Sequence, residues 1–318
     1  MTDLIIGQRP PSNRWGCLAA FVAAVGGLVA VILGLRACGG PSAVADGNGA
    51  PESEERPVSA ERSRSRRRDP SPPARESDPG EGLQAVRPRL EEAEALEARG
   101  QLGEARERLF ELLESPLDGE ARAAVEHALG RVHTELVFNP HPMPEKREHV
   151  VARGESLAIL ARRYGTTVEL ISRSNRITNP HRIRVGDRLR ILQGAFSVEV
   201  SKTRNDLVLR LDDRFFKRYR VGTGEFARTP EGSFRIVDRI ENPTWWRDDG
   251  KVIPYGHPDN LLGTHWLALD VRGYGLHGTW EPETIGHQLS AGCVRLLNED
   301  VLELFELLPV GTPVTITE

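Results

Sequence analysis

Residues Phe196–Gly224 read FSVEVSKTRNDLVLRLDDRFFKRYRVGTG, and this stretch decides the fold of the C-terminal part of the chain. Apolar and polar side chains alternate through three short runs separated by turn residues, the period expected of strands with one buried face. GSFRIVDRI (Gly232–Ile240) and HWLALDVRGYGLHG (His265–Gly278) continue the pattern, and PVTITE (Pro313–Glu318) closes it. One helix is expected over Asp300–Leu307, with Asn298 suited to its N-cap and Pro309-Val310-Gly311 stopping it. Residues 195–318 therefore predict a mainly-β sandwich or barrel with short helices.

Upstream, residues 148–192 read as strand, helix, helix, strand. Leu157, Leu160, Ala161 and Tyr164 fall on one helical face that Gly165 closes, and Thr166-Thr167-Val168-Glu169 has the form of a capping box. Residues 83–139 carry Ala and Leu at helical spacing, interrupted at Gly100 and Gly103, and predict two or three antiparallel helices. One such unit resembles a tetratricopeptide hairpin and suits a spacer or a docking surface for a protein partner. Residues 39–82 are rich in Pro, Gly, Ser, Glu and Arg, a composition unable to bury enough apolar surface to order itself, and predict a disordered linker. Residues 1–38 include Gly16–Leu35, a run free of charge and long enough to cross a bilayer as a helix. Arg9 and Arg14 precede it, which favours an inner-membrane anchor with the bulk of the chain exported. Ala43-Val44-Ala45 keeps open the alternative of a cleaved signal peptide and secretion. A net charge of -4 gives no electrostatic case for nucleic-acid binding.

The chain has 3 cysteines; Cys17 and Cys38 lie at or beside the apolar segment, so Cys293 is the only one in the remainder. It sits in Ser290-Ala291-Gly292-Cys293-Val294-Arg295, downstream of His277-Gly278. A nucleophilic thiol needs a nearby base, and glycine beside it permits a turn that aims backbone N–H groups at a developing oxyanion. The bland alternative is a small buried hydrophobe. His257, His265 and His287 lack the spacing of a metal site, and no cofactor is implied.

Two resemblances sharpen this. VARGESLAILARRYGTTVELISRSNRI…PHRIRVGDRLRI resembles a LysM domain, which implies binding of glycan strands by the loops holding Gly154, Glu155, Ser156, Ile177 and Asn179. TPEGSFRI, NPTWW, NLLGTHWLAL, LHGTWEPETIG and SAGCVRL, in that order, resemble the L,D-transpeptidase (YkuD-type) catalytic domain of the bacterial cell wall. That resemblance implies Cys293 as nucleophile and His277 as base, with the Gly278 carbonyl orienting the imidazole. It implies the Gly292 and Cys293 amides as oxyanion hole. Ser290 would support the turn, Arg295 would hold the loop or a substrate carboxylate, and His287 would line the cleft entrance. One of the adjacent Trp245 and Trp246, taken as Trp246, is expected in the substrate cleft. The implied partner is peptidoglycan, through its stem peptides and glycan strands, in an envelope protein of cell-wall biogenesis and cell shape. Ala291 departs from the histidine that many members carry there and bears on substrate preference.

Overall fold

The computed structural model describes residues 80–225, 228–247 and 249–318. The apolar Gly16–Leu35 run, the signal-peptide alternative and nearly all of the 39–82 linker lie outside them. Among the described residues no helix is long and apolar enough to cross a membrane.

Three helices come first: α1 (Leu83–Ala98), α2 (Leu102–Glu114) and α3 (Gly119–Phe138). Gly100 turns the chain at φ +76°, whereas Gly103 lies inside α2 and breaks nothing. Asp118 caps α3, its carboxylate accepting from the Ala121 amide at 2.8 Å. Next come β1 (Lys146–Val150), α4 (Leu157–Tyr164), α5 (Val168–Ser174) and β2 (Arg188–Leu192), with β1 and β2 antiparallel around a separate small core. Gly165 ends α4 in the left-handed region at φ +65°. Thr167, not Thr166, caps α5: its hydroxyl accepts from Leu170 N, while the Thr166 hydroxyl is buried without a partner.

The remaining strands are β3 (Phe196–Ser201), β4 (Asp206–Leu211), β5 (Arg214–Arg220), β6 (Thr223–Gly224), β7 (Gly232–Glu241), β8 (Trp245–Trp246), β9 (Val252–Ile253), β10 (His265–Leu269), β11 (Gly275–His277), β12 (Gln288–Ser290), β13 (Val294–Arg295) and β14 (Pro313–Thr317), with α6 (Asn298–Leu307) before the last. Eight of them form one sheet in the order β13-β11-β10-β7-β14-β3-β4-β5. Its two ends meet, because Gly222, just past β5, exchanges backbone hydrogen bonds with Arg295 of β13 at 2.9 and 2.8 Å. Of the two expected forms, sandwich or barrel, the structure is a single sheet rolled toward a barrel, closing at Arg295. Rolling hides both edges that a flat sheet would leave open to other chains.

The helices are a layer on that sheet, since α1–α3 and the sheet interior share one core. At the seam, Arg106 Nε donates to His133 Nε2 at 3.1 Å, and His133 Nδ1 lies 2.8 Å from the Phe216 carbonyl. A carbonyl only accepts, so Nδ1 carries the proton and the ring is neutral. Burial pushes its pKa down to about 3, and the Arg106 charge acts the same way against the Phe216 carbonyl. With the folded value below the ordinary 6.5, this contribution to stability is complete above pH 6.5 and is lost as pH falls toward 3. His133 alone should lower unfolding free energy by roughly 2–3 kcal/mol between pH 7 and 4.5. Urea unfolding at both pH values checks this, and an equal loss in His133→Gln would reject it.

The LysM-like unit is docked on both neighbours. Arg173 pairs with Glu306 and stacks 3.8 Å from the Phe138 ring centroid, and Arg239 of β7 reaches Glu169 at 3.2 Å. Thus α6 lies between α5 and the strands that carry the candidate site.

Candidate active site

Register places the chemistry. β11 and β13 are parallel, with Leu276 opposite Val294 and His277 opposite Arg295. Alternation then turns Leu276 and Val294 into the main core, while His277, Cys293 and Arg295 share the other face. On β10 the same alternation sends Leu267 and Leu269 inward and sets Trp266 and Ala268 beside Cys293 in a second, smaller cluster. Trp266 is the cross-strand neighbour of His277, and the two rings stack at 5.5 Å.

A cavity of about 80 Å3 opens on this face, lined by Trp245, Leu262, His277, Ala291, Cys293 and Arg295 among others. A larger one of about 1030 Å3 lies between α3 and β4–β5, shares no lining residue with the Cys293 cavity, and its charged side chains largely pair with one another, as Arg218 does with Glu126 and Asp206.

His277 is held by its own chain. Nδ1 lies 2.6 Å from the Gly278 carbonyl, so Nδ1 bears the proton and Nε2 is the basic atom. Burial pushes the imidazole down to about 4; the Arg295 charge adds to this, and the Gly278 and Leu262 carbonyls oppose it. Cys293 is 3% exposed and its Sγ contacts the Gly273 carbonyl at 3.6 Å. Burial pushes that thiol up to about 12, opposed by the backbone N–H of Gly275 and the charge of Arg295. At neutral pH both groups are therefore uncharged at rest, a thiol and a free base rather than an ion pair.

The turn before Cys293 is stapled by Ser290. Its hydroxyl donates to the Cys293 carbonyl at 2.7 Å and accepts from the Gly292 amide at 3.1 Å. This corrects the expected oxyanion hole, because the Gly292 N–H is already spent inside the turn. Ser290 is thereby a support of the turn rather than a substrate contact. Gly292 has φ +138°, and a Cβ there would meet Tyr274 at 2.8 Å, so no other residue fits.

Arg295 is mostly buried, pairs with Glu281 at 3.3 Å, and has an Nε without a partner. Two expectations are corrected by the strand pattern. Trp245, not Trp246, lines the cavity: it packs into the cluster with Cys293, while Trp246 points outward and is 39% exposed. The buried Trp245 indole N–H has no partner among the described residues. His287 is exposed and away from the cavity lining, contributing its backbone carbonyl to Thr223 at 3.0 Å. His257 closes a turn by accepting from Asp259 N, and His265 packs against Phe305 with the rings tilted by 53°, so neither converges on Cys293.

Asn298 is a site residue that the sequence reading mistook for a cap. The N-cap of α6 is Leu297, and the Asn298 side chain instead accepts from Thr264 N at 3.1 Å and donates to the Thr279 carbonyl at 2.8 Å. A Cβ on Gly278 would sit 2.1 Å from its Oδ1 and one on Gly263 at 2.3 Å, so both glycines exist to admit this amide. It ties the strand end that carries His277 to the neighbouring loop and to α6.

In the LysM-like unit, Glu155 accepts from Ala152 N at 2.9 Å, His149 at 2.6 Å and Arg163 at 2.5 Å, and these partners hold its carboxyl down at about 2. Ser156 caps α4 at Ile159 N, and Asn179 accepts from His181 N at 3.0 Å. Gly154 has φ +83°, and Ile177 packs partly against the small core. The side chains of Glu155 and Ser156 shape their loop.

Comparison with known proteins gives a consistent picture. The family model for the L,D-transpeptidase catalytic domain (YkuD) matches residues 195–316, and that for the LysM domain matches residues 149–192. A Bacillus subtilis protein named "Putative L,D-transpeptidase YqjB" is 41% identical over 133 residues, 40% of this chain and 74% of the relative. A Bacillus licheniformis protein named "Putative L,D-transpeptidase YkuD" is 34% identical over 175 residues, 52% of this chain and 96% of the relative. An L,D-transpeptidase structure from Mycobacterium smegmatis aligns at 18% identity and TM-score 0.35, covering 42% of this chain and 65% of that one, too weak a superposition to carry an argument.

Proposed function

This chain belongs to the L,D-transpeptidase family, and from that premise we propose that it transfers peptidoglycan stem tetrapeptides through a thioester on Cys293. The observation that supports this reading is the His277–Gly278 pairing at 2.6 Å on the wall of the cavity that Cys293 shares. It fixes the tautomer that leaves Nε2 able to accept a proton.

Because thiol and imidazole are both neutral at rest, the proton leaves sulfur as it attacks, not before. Sγ gives up the Gly273 carbonyl and adds to the amide carbon between the third residue and D-Ala at position four. Nε2 takes the thiol proton and passes it to the departing amine, so D-Ala leaves as a neutral amine and the acyl group stays on sulfur. The Cys293 amide is the donor left in the turn for the oxyanion, and Arg295 is placed for a substrate carboxylate. An amine of a second stem then attacks the thioester, giving a 3–3 crosslink; an amine of an envelope protein or water are the other acceptors.

The LysM domain holds the glycan strand through Gly154, Ile177 and Asn179 and the backbone of the Glu155-Ser156 loop, raising the local concentration of stems. The Gly16–Leu35 run anchors the protein in the membrane on the envelope side. Because α3 is committed to β5, a protein partner would dock on the outer faces of α1 and α2.

Incubating the purified full chain with disaccharide-tetrapeptide tests the reading. Product masses should show released D-Ala with either a crosslinked dimer or a tripeptide, and unchanged substrate would overturn it.

A further inference from the structure

The exposed aromatic side chains of the described residues all lie close in sequence to the Cys293 cavity, and two of them touch. Trp246, Tyr255 and Trp280 are 39%, 40% and 49% exposed. Each lies close in sequence to a group at the Cys293 cavity. Trp246 follows Trp245, Tyr255 belongs to the connection that brings Leu261 and Leu262 to the cavity wall, and Trp280 comes three residues after His277. Leaving such rings in water forgoes a large burial term, so two of them held in contact, Tyr255 and Trp280, call for an occupant.

The Tyr255 and Trp280 rings have centroids 6.3 Å apart and are tilted by 48°, so they do not stack flat on each other. Neither the Trp280 indole N–H nor the Tyr255 hydroxyl has a hydrogen-bond partner among the described residues. A flat apolar face with an unpaired polar edge matches a ligand whose faces are C–H and whose rim is hydroxyl. That is a pyranose ring. A lipid chain or an apolar protein face would leave both polar edges unsatisfied.

From this geometry we propose that Tyr255 and Trp280 form a saccharide platform that takes the sugar ring to which the donor stem peptide is attached. The inference rests on the transpeptidase reading for its substrate and adds that the site selects stems still joined to sugar. Two facts favour a sugar here. Trp280 comes three residues after His277, and Tyr255 two after Ile253, which packs in the cluster that holds Cys293; the same chain also carries a LysM domain, so stem and glycan would arrive together.

The test uses the full chain and compares kcat/KM for disaccharide-tetrapeptide with that for free tetrapeptide. The wild type should prefer the sugar-bearing substrate by about tenfold, the worth of one good aromatic contact. In Trp280→Ala that ratio should fall toward one, whereas an unchanged ratio overturns the platform. A second readout does not depend on turnover: the Trp280 indole N–H resonance, assigned by its loss in Trp280→Phe, should shift on titration with peptide-free N-acetylglucosaminyl-N-acetylmuramic acid. If neither substrate reacts but the resonance shifts, the platform stands and the reaction assignment fails. If substrates react and the resonance stays fixed, the platform fails and the reaction stands.

Discussion

Cys293→Ala should remove acyl transfer outright, lowering kcat/KM by a factor of about 10^4 or more, with the fold intact. The side chain is small, and truncating a thiol in a cavity-lining position costs on the order of 1 kcal/mol, too little to unfold the domain. Cys293→Ser tests the chemistry more sharply. A hydroxyl is a far weaker acid than a thiol, and a base held at about 4 cannot deprotonate it usefully. The serine variant should therefore be as dead as the alanine one. The neutral resting pair also sets the pH dependence. In the free enzyme His277 is basic above about pH 4, so the acid limb of kcat/KM should fall well below the ordinary histidine value of 6.5. The thiol stays protonated up to about pH 12, so charged alkylating agents should label it slowly at neutral pH. Fast alkylation at pH 7, with kcat/KM falling again at alkaline pH as an imidazolium loses its proton, would show a preformed thiolate–imidazolium pair and refute the concerted step. A β-lactam of the carbapenem kind, incubated with the wild type and each variant and followed by mass, gives an independent readout of the nucleophile: an adduct on the wild type alone is the expected outcome.

The contrast between what the sequence disclosed and what it hid follows from locality. Alternation along Phe196–Gly224 is a property of neighbouring residues, so the strands β3, β4 and β5 were legible one by one. That the sheet rolls until Gly222 meets Arg295 depends on a contact between residues 73 positions apart, which no local pattern encodes. The His277-Gly278 pair and the Ser290–Arg295 turn could be singled out as candidates because each is a short local motif. The fate of the Gly292 amide was not, since whether an N–H is free or taken by Ser290 Oγ depends on a hydroxyl rotamer. Likewise Trp245 and Trp246 are equivalent as letters. Only the pairing of Trp246 with Val252 and the packing of Trp245 beside Ile253 and Leu262 decide which faces the cavity. Asn298 misled for the opposite reason. Its type fits an N-cap, but a stronger pair of partners at Thr264 and Thr279 claims it.

That last residue leads to the second large effect. Gly278→Ala should reduce kcat by about 10^2-fold with little change in KM, because the new methyl would collide with Asn298 Oδ1 at 2.1 Å and displace the strand end that orients His277. Gly278 has no left-handed φ, so the cost is space alone, and the remedy should be space as well. Asn298→Ala by itself should cost about tenfold through the two lost hydrogen bonds. Combined with Gly278→Ala it removes the collision, leaving the Thr264 amide at 3.2 Å as the tightest remaining contact. The double variant should thus be no worse than Gly278→Ala alone, where independent sites would multiply to about 10^3-fold. Gly263→Ala is the internal control. Its methyl would strike the Gly278 backbone at 2.4 Å as well as Asn298, and its φ is +63°, so Asn298→Ala should not rescue it. Rescue of both glycine variants, or of neither, would mean that Asn298 does not set the position of the His277 strand end. Rescue of Gly278→Ala only, read in kcat and accompanied by an unchanged acid limb, would identify the amide as a positioning residue acting through His277.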